Sequence, residues 1–198
     1  MTKIKLCGMM RPCDIEAVNE LRPDYCGFIL SPGFRRSIGR EQFDELYKIL
    51  DKSICCTGVF VNEPLDNVLS FSEKLGLIQL HGKESGDYIT ELKKLTGKPI
   101  SKAFVIREEK DLEKALQSPA DYSLLDSGTG TGKSFDHSLI KDVNRPYFLA
   151  GGLEAENVGE AIERLHPFAV DASSSLETNG YKDKTKMAEF VNAVRRKG

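Results

Sequence analysis

Residues 3–30 read KIKLCGMMRPCDIEAVNELRPDYCGFIL, and three patterns follow one another in them. Residues 4–7 carry a short strand signal. Over 14–21, Ile15, Val18 and Leu21 recur at helical spacing and make one apolar stripe on a polar segment. Residues 25–30, YCGFIL, form a continuous apolar run of the kind buried on both faces of a sheet. Strand, helix and strand in this order make a βαβ unit, in which the two strands run parallel.

The same step recurs along the chain. A helix is expected over 41–50, with Phe43, Leu46, Tyr47 and Leu50 in line, then a strand over 55–61 and a helix over 65–75. Further strands are expected over 77–80, 100–106, 122–126, 147–150 and 168–171. Helices are expected over 88–95, 109–116, 155–165 and from about 184 to 195. Eight short apolar strands, nearly all followed by amphipathic helices, predict an α/β fold with one closed (β/α)8 TIM barrel across residues 1–198, built with tight loops. An open doubly wound sheet is the alternative.

Of the 198 residues 40% are hydrophobic, enough for one domain with a real core. Charged residues make up 29% and the formal net charge is −2, so no basic stripe marks a nucleic-acid partner. The cluster Arg195-Arg196-Lys197 reads as a solvated helix end. No secretory h-region and no run long enough to span a membrane is expected. The five cysteines form no C-x-x-C pair and no zinc spacing. They read as thiols of a reducing cytoplasm, most of them small core residues.

In a parallel barrel the strand C-ends open on one face and build the site there. Strand one ends in Cys7-Gly8, with the glycine expected to leave the thiol uncovered. Strand two leads to Phe34, Arg35 and Arg36, strand four to His81, strand six to Asp126, strand seven to Gly151-Gly152, and strand eight to Asp171 and Ser173-Ser174-Ser175. Gly-Gly and Ser-Ser loops after the last two strands suit a phosphate, although such residues also make ordinary turns. Asp126 at the axis suits a general acid, since burial favours a neutral carboxyl. Cys7 suits a base or a nucleophile, with a core thiol as the alternative. An arginine of the second loop suits a substrate carboxylate, and His81 suits a polar wall. The stretch SGTGTGKS at 127–134 has Ser127 where a nucleotide P-loop needs glycine, so Lys133 reads as a loop lysine able to close on an anionic substrate, or as a solvated one.

These residues sit in blocks that resemble the phosphoribosylanthranilate isomerase family over essentially the whole chain. The blocks are KLCGMMRPCD at 5–14, GFILSPGFRRSI at 27–38, GVFVN at 58–62, IQLHG at 78–82, LLDSGTGTGKSFD at 124–136, LAGGLEAENVGEAI at 149–162, PFAVDASSSLE at 167–177 and GYKD at 180–183. The resemblance implies a cofactor-free, metal-free Amadori rearrangement in tryptophan biosynthesis. N-(5'-phosphoribosyl)anthranilate, a small phosphosugar, becomes 1-(2-carboxyphenylamino)-1-deoxyribulose 5-phosphate. It implies Cys7 as general base, Asp126 as general acid and Arg36 as the anthranilate-carboxylate group. Gly151, Gly152, Ser173 and Ser174 are then phosphate contacts, and His81, Asp171 and Lys133 line the pocket. The protein would be a monomer or a homodimer. Three departures stand out: Ser175 where the family usually has glycine, His137 where it often has tryptophan, and Leu6 for isoleucine. Ser175 predicts a shifted phosphate loop. The rival readings are the histidine-pathway aminoaldose isomerase, which calls for aspartate at the position of Cys7, and a silent barrel that only binds.

Overall fold

The computed structural model describes residues 1–126, 139–140 and 143–197. Its strands are β1 (Lys3–Cys7), β2 (Tyr25–Ile29), β3 (Cys55–Phe60), β4 (Leu77–Leu80), β5 (Ile100–Val105), β6 (Tyr122–Asp126), β7 (Tyr147–Ala150) and β8 (Ala169–Ala172). They pair in sequence order, all parallel, and β8 returns to β1 with Lys5 opposite Asp171. That last pairing closes the barrel and excludes the open sheet. Among the described residues the outer ring is α1 (Pro12–Leu21), α2 (Arg40–Ile49), α3 (Leu65–Ser72), α4 (Gly86–Thr96), α5 (Glu109–Leu116), α6 (Val158–Leu165) and α7 (Lys184–Arg195).

The alternation in β1 explains its unusual composition. Ile4 and Leu6 turn outward and join the core between sheet and helices. Lys5 and Cys7 therefore turn inward. The barrel base is plugged by Tyr25, Tyr122, Phe148 and Phe168, with Tyr122 stacked on Phe168 at 5.2 Å between centroids. Above this plug Lys5 is completely buried, and its Nζ lies 2.5 Å from Asp171 Oδ2. A lone buried ammonium would be prohibitively costly, so the register that brings Asp171 beside it is a condition of the fold.

Several boundaries differ from the sequence expectation for local reasons. α1 starts at Pro12, because Asp14 accepts from the Met10 and Arg11 amides and from the Arg11 guanidinium. α6 starts at Val158, since Asn157 uses its side chain to accept from the Glu154 amide and to donate to the Gly152 carbonyl. After β8 come a 3-10 turn at Ser174–Leu176 and a hairpin of β9 (Glu177–Thr178) and β10 (Tyr181–Lys182) that the apolar periodicity does not show. The basic C-terminal cluster is exposed but engaged. Arg195 donates to the carbonyls of Leu21 and Arg22 at the end of α1, and Lys197 pairs with Glu163.

Candidate active site

The C-terminal ends of the strands surround a cavity of about 490 Å³, a size suited to a substrate of modest mass. Its lining brings together Cys7, Arg36, His81, Asp126, Asp171, Gly151, Gly152, Ser173 and Ser174, from six strands and the loops behind them. Lys133 and His137 lie outside the described residues.

Cys7 ends β1 with its thiol packed on Gly27 of β2, where a Cβ would stand only 2.7 Å from Sγ. The carbonyl of Cys7 accepts from Ser173 Oγ at 2.9 Å, which ties β1 to the loop after β8. The ammonium groups of Lys5 and Lys182, paired with Asp171 and Glu177, both lie near enough to Cys7 to interact with it electrostatically. Burial works against the charge of Lys5, but Asp171 and Cys7 outweigh it and hold its pKa above the ordinary lysine value. Complete burial lifts the Asp171 carboxyl above its usual range, with Lys5 pulling the other way.

Gly8 does not leave the thiol uncovered in the way its position predicts. At φ +82° it gives up a side chain, and the space is taken by Arg36, whose Cδ lies 2.8 Å and Nε 3.0 Å from an added Cβ. Arg36 is thus drawn to the cavity while its neighbour turns away. Arg35 is 54% exposed on its side chain, pairs with Glu177 and donates to the Gly180 carbonyl at 2.7 Å. Phe34 also lines the cavity.

Asp126 ends β6 with Oδ2 3.9 Å from His81 Nε2. The Gln79 amide lies 3.2 Å from His81 Nδ1. With that amide nitrogen donating, the neutral ring keeps its proton on Nε2, toward Asp126. Desolvation holds His81 below the ordinary imidazole value, and Asp126 draws it upward.

Gly151 (φ 92°) and Gly152 (φ 66°) both take left-handed backbone, which turns the loop after β7 toward the cavity. The loop after β8 meets it from the other side. Ser175, expected to shift this loop, has no left-handed φ. It sits in the 3-10 turn and its Oγ donates to the Leu153 carbonyl at 2.5 Å, tying the two loops together. Serine is therefore under no left-handed backbone strain at this position.

Several residues of this site escaped the sequence reading. Lys5 lies beneath Cys7. Asn157 holds the Gly152 loop, and Glu84 holds the loop beside His81 by accepting from the Asn62 and Gly82 amides and pairing with Lys102. Glu177 binds Arg36. Asn179 and Gly180, both at positive φ, form the tight turn that carries it, and that Asn-Gly pair was the available signal. Among the described residues no group of three or more His, Cys, Asp and Glu could hold a metal, and no helix is long and apolar enough to cross a membrane.

Comparison with known proteins places this geometry. The profile of the family described as N-(5'phosphoribosyl)anthranilate (PRA) isomerase matches residues 4–193. An N-(5'-phosphoribosyl)anthranilate isomerase of Thermoanaerobacter sp. (strain X514) is 44% identical over 204 aligned positions, covering 98% of each chain. The crystal structure of phosphoribosyl anthranilate isomerase from Thermotoga maritima superposes with a TM-score of 0.91 at 33% identity, covering 99% of this chain and 100% of that one. A structure of such an isomerase in complex with reduced 1-(o-carboxyphenylamino)-1-deoxyribulose 5-phosphate gives a TM-score of 0.89 at 32% identity, over 99% of this chain and 100% of that one. The chain belongs to the N-(5'-phosphoribosyl)anthranilate isomerase family, the isomerases of tryptophan biosynthesis.

Proposed function

We propose that this barrel, as one catalytic domain over 1–198, converts N-(5'-phosphoribosyl)anthranilate to 1-(2-carboxyphenylamino)-1-deoxyribulose 5-phosphate by general acid–base catalysis, with Cys7 as base and Asp126 as acid. The observation that carries the reading is one cavity lined by a thiol, a carboxyl, an arginine and two phosphate-type loops. The acid and the base stand on β6 and β1, three strands apart around the ring, so a ribose between them meets one on each side.

Asp126 gives a proton to the ring oxygen while the C1–O bond breaks and the anilino nitrogen's lone pair forms a C1=N bond. The Cys7 thiolate then takes the proton from C2; those electrons make the C1=C2 enol while the C1=N pair returns to nitrogen. The enol loses its hydroxyl proton and C1 gains one, leaving the ketone at C2. Protons balance, no electrons leave the substrate, and the scheme calls for neither metal nor organic cofactor. Arg36 takes the anthranilate carboxylate at one end. The amides of Gly151 and Gly152 and the groups of Ser173 and Ser174 take the phosphate at the other, so binding energy fixes the ribose between acid and base. His81 and Asp171 complete the polar wall. Five free thiols suit the reducing cytoplasm.

The test is direct. Phosphoribosylanthranilate is generated in situ and its anthranilate fluorescence is followed after protein is added. Rapid decay dependent on protein is expected. No decay, with bound product analogue detected by titration, would replace this reading with that of a binding-only barrel.

A further inference from the structure

We propose that Glu177 is the positioning residue that sets Arg36 for the substrate carboxylate, by occupying one edge of its guanidinium and leaving the other toward the ligand. The inference rests on the reading of Arg36 as the carboxylate-binding group.

A guanidinium is a rigid planar fork, and it meets a carboxylate through two parallel hydrogen bonds only when one whole edge is presented. Two features fix which edge Arg36 presents. Its stem lies in the space left by the missing Cβ of Gly8. Its Nη1 donates to Glu177 Oε1 at 2.8 Å. Nε is buried and has no acceptor. A buried donor without a partner costs free energy that an incoming acceptor recovers. Nη2, on the edge Glu177 leaves open, is neither bonded nor fully buried, so a carboxylate oxygen docks there first, and a small shift of the stem brings its twin within reach of Nε.

Glu177 is built to stay where it is. Its side chain is only 7% exposed, and it is shared among three cations: Arg36, Arg35 through Oε2, and Lys182 at 3.0 Å from Oε1. Three positive groups against one carboxylate leave the cluster two charges positive, so Glu177 orients Arg36 without cancelling its attraction for an anion. Burial pushes the Glu177 carboxyl upward, but Arg35, Lys182 and Arg36 outweigh it and hold it below the usual carboxylate range. The hairpin beneath it is tied down as well: Arg11 at the start of α1 donates to the Lys182 carbonyl at 2.8 Å, and Thr178 donates to Asp183 at 2.8 Å.

The experiment is a double-mutant cycle of Glu177→Gln and Arg36→Ala, read as KM and kcat by the fluorescence assay. Glu177→Gln alone is expected to raise KM about tenfold and change kcat less than about twofold, because binding is lost rather than the proton transfers. In the Arg36→Ala background, Glu177→Gln is expected to raise KM no further. KM effects that multiply would overturn the proposal, since Glu177 would then act independently of Arg36. A wild-type KM for Arg36→Ala alone would overturn the carboxylate reading itself, an outcome the cycle separates from the first. Should Glu177→Gln fail to fold, Glu177→Asp carries the same comparison, because it keeps the charge for Arg35 and Lys182 and shortens the reach to Arg36. Wild-type KM in Glu177→Asp, with Arg36→Ala impaired, would also overturn the proposal.

Discussion

Replacing Gly8 by alanine separates the seating of Arg36 from the chemistry of Cys7 beside it. The new Cβ would stand 2.8 Å from Arg36 Cδ, 3.0 Å from Nε and 3.2 Å from Ser173 Oγ. Ordinary carbon contact begins near 3.5 Å, so Cδ must retreat by about 0.7 Å. The stem carries the guanidinium with it and disturbs its bond to Glu177. The backbone adds its own cost, because φ +82° is a conformation that an L side chain resists by about 1–2 kcal/mol. For a chain of this size each kcal/mol lowers Tm by about 2–4 °C, so a fall of about 2–8 °C is expected. The expected kinetic signature is a KM raised about tenfold, since small misplacements of a positioning group are costly, with kcat much less affected. Steady-state fluorescence kinetics and a thermal melt by circular dichroism read both. A lowered Tm with wild-type KM would refute the reasoning, because the glycine would then serve only its backbone.

Three further outcomes follow from the barrel interior and mouth. Lys5→Met is expected to cost about 3–5 kcal/mol, because it leaves the buried Asp171 carboxylate unpaired, and denaturant titration with a loss below 1 kcal/mol would contradict the pairing. Ser175→Gly is expected to cost about 1 kcal/mol through the lost bond to the Leu153 carbonyl, while inhibition by inorganic phosphate stays unchanged; tighter phosphate inhibition would show that serine does distort the loop. The folded-state pKa of His81 is lowered, so the unfolded chain binds the proton first as pH falls through 6.5. Stability is therefore expected to fall from pH 6.5 toward the lower folded value, and His81→Asn is expected to flatten that part of a Tm–pH curve; an unchanged slope would place the titration elsewhere.

The parts of this molecule that are legible in sequence are those encoded by local pattern. The strand–helix step of 3–30 is readable because each element carries its own period, and the strand C-ends then deliver Cys7, Arg36, Asp126 and the Gly151-Gly152 loop to one face without any knowledge of register. What stayed hidden depends on contacts between distant segments. Lys5 reads as one more charged residue until β8 closes on β1 and sets Asp171 beside it, 166 positions away. Glu177 meets Arg36 across 141 positions. The role of Gly8 is equally non-local, since the space above it belongs to a side chain from the next loop. The β9–β10 hairpin is too short for any periodicity, although Asn179-Gly180 marked its turn.

The central claim is that Cys7 and Asp126 move protons at the two sides of one ribose. Its most direct measurement is kcat for Cys7→Ser and for Asp126→Asn, alongside the affinity of each for a reduced product analogue. The account predicts that either substitution lowers kcat by about 10³-fold or more while analogue binding stays close to wild type, as expected when a general base or acid is removed from an intact site. A kcat near wild type in either variant would contradict the assignment of that residue.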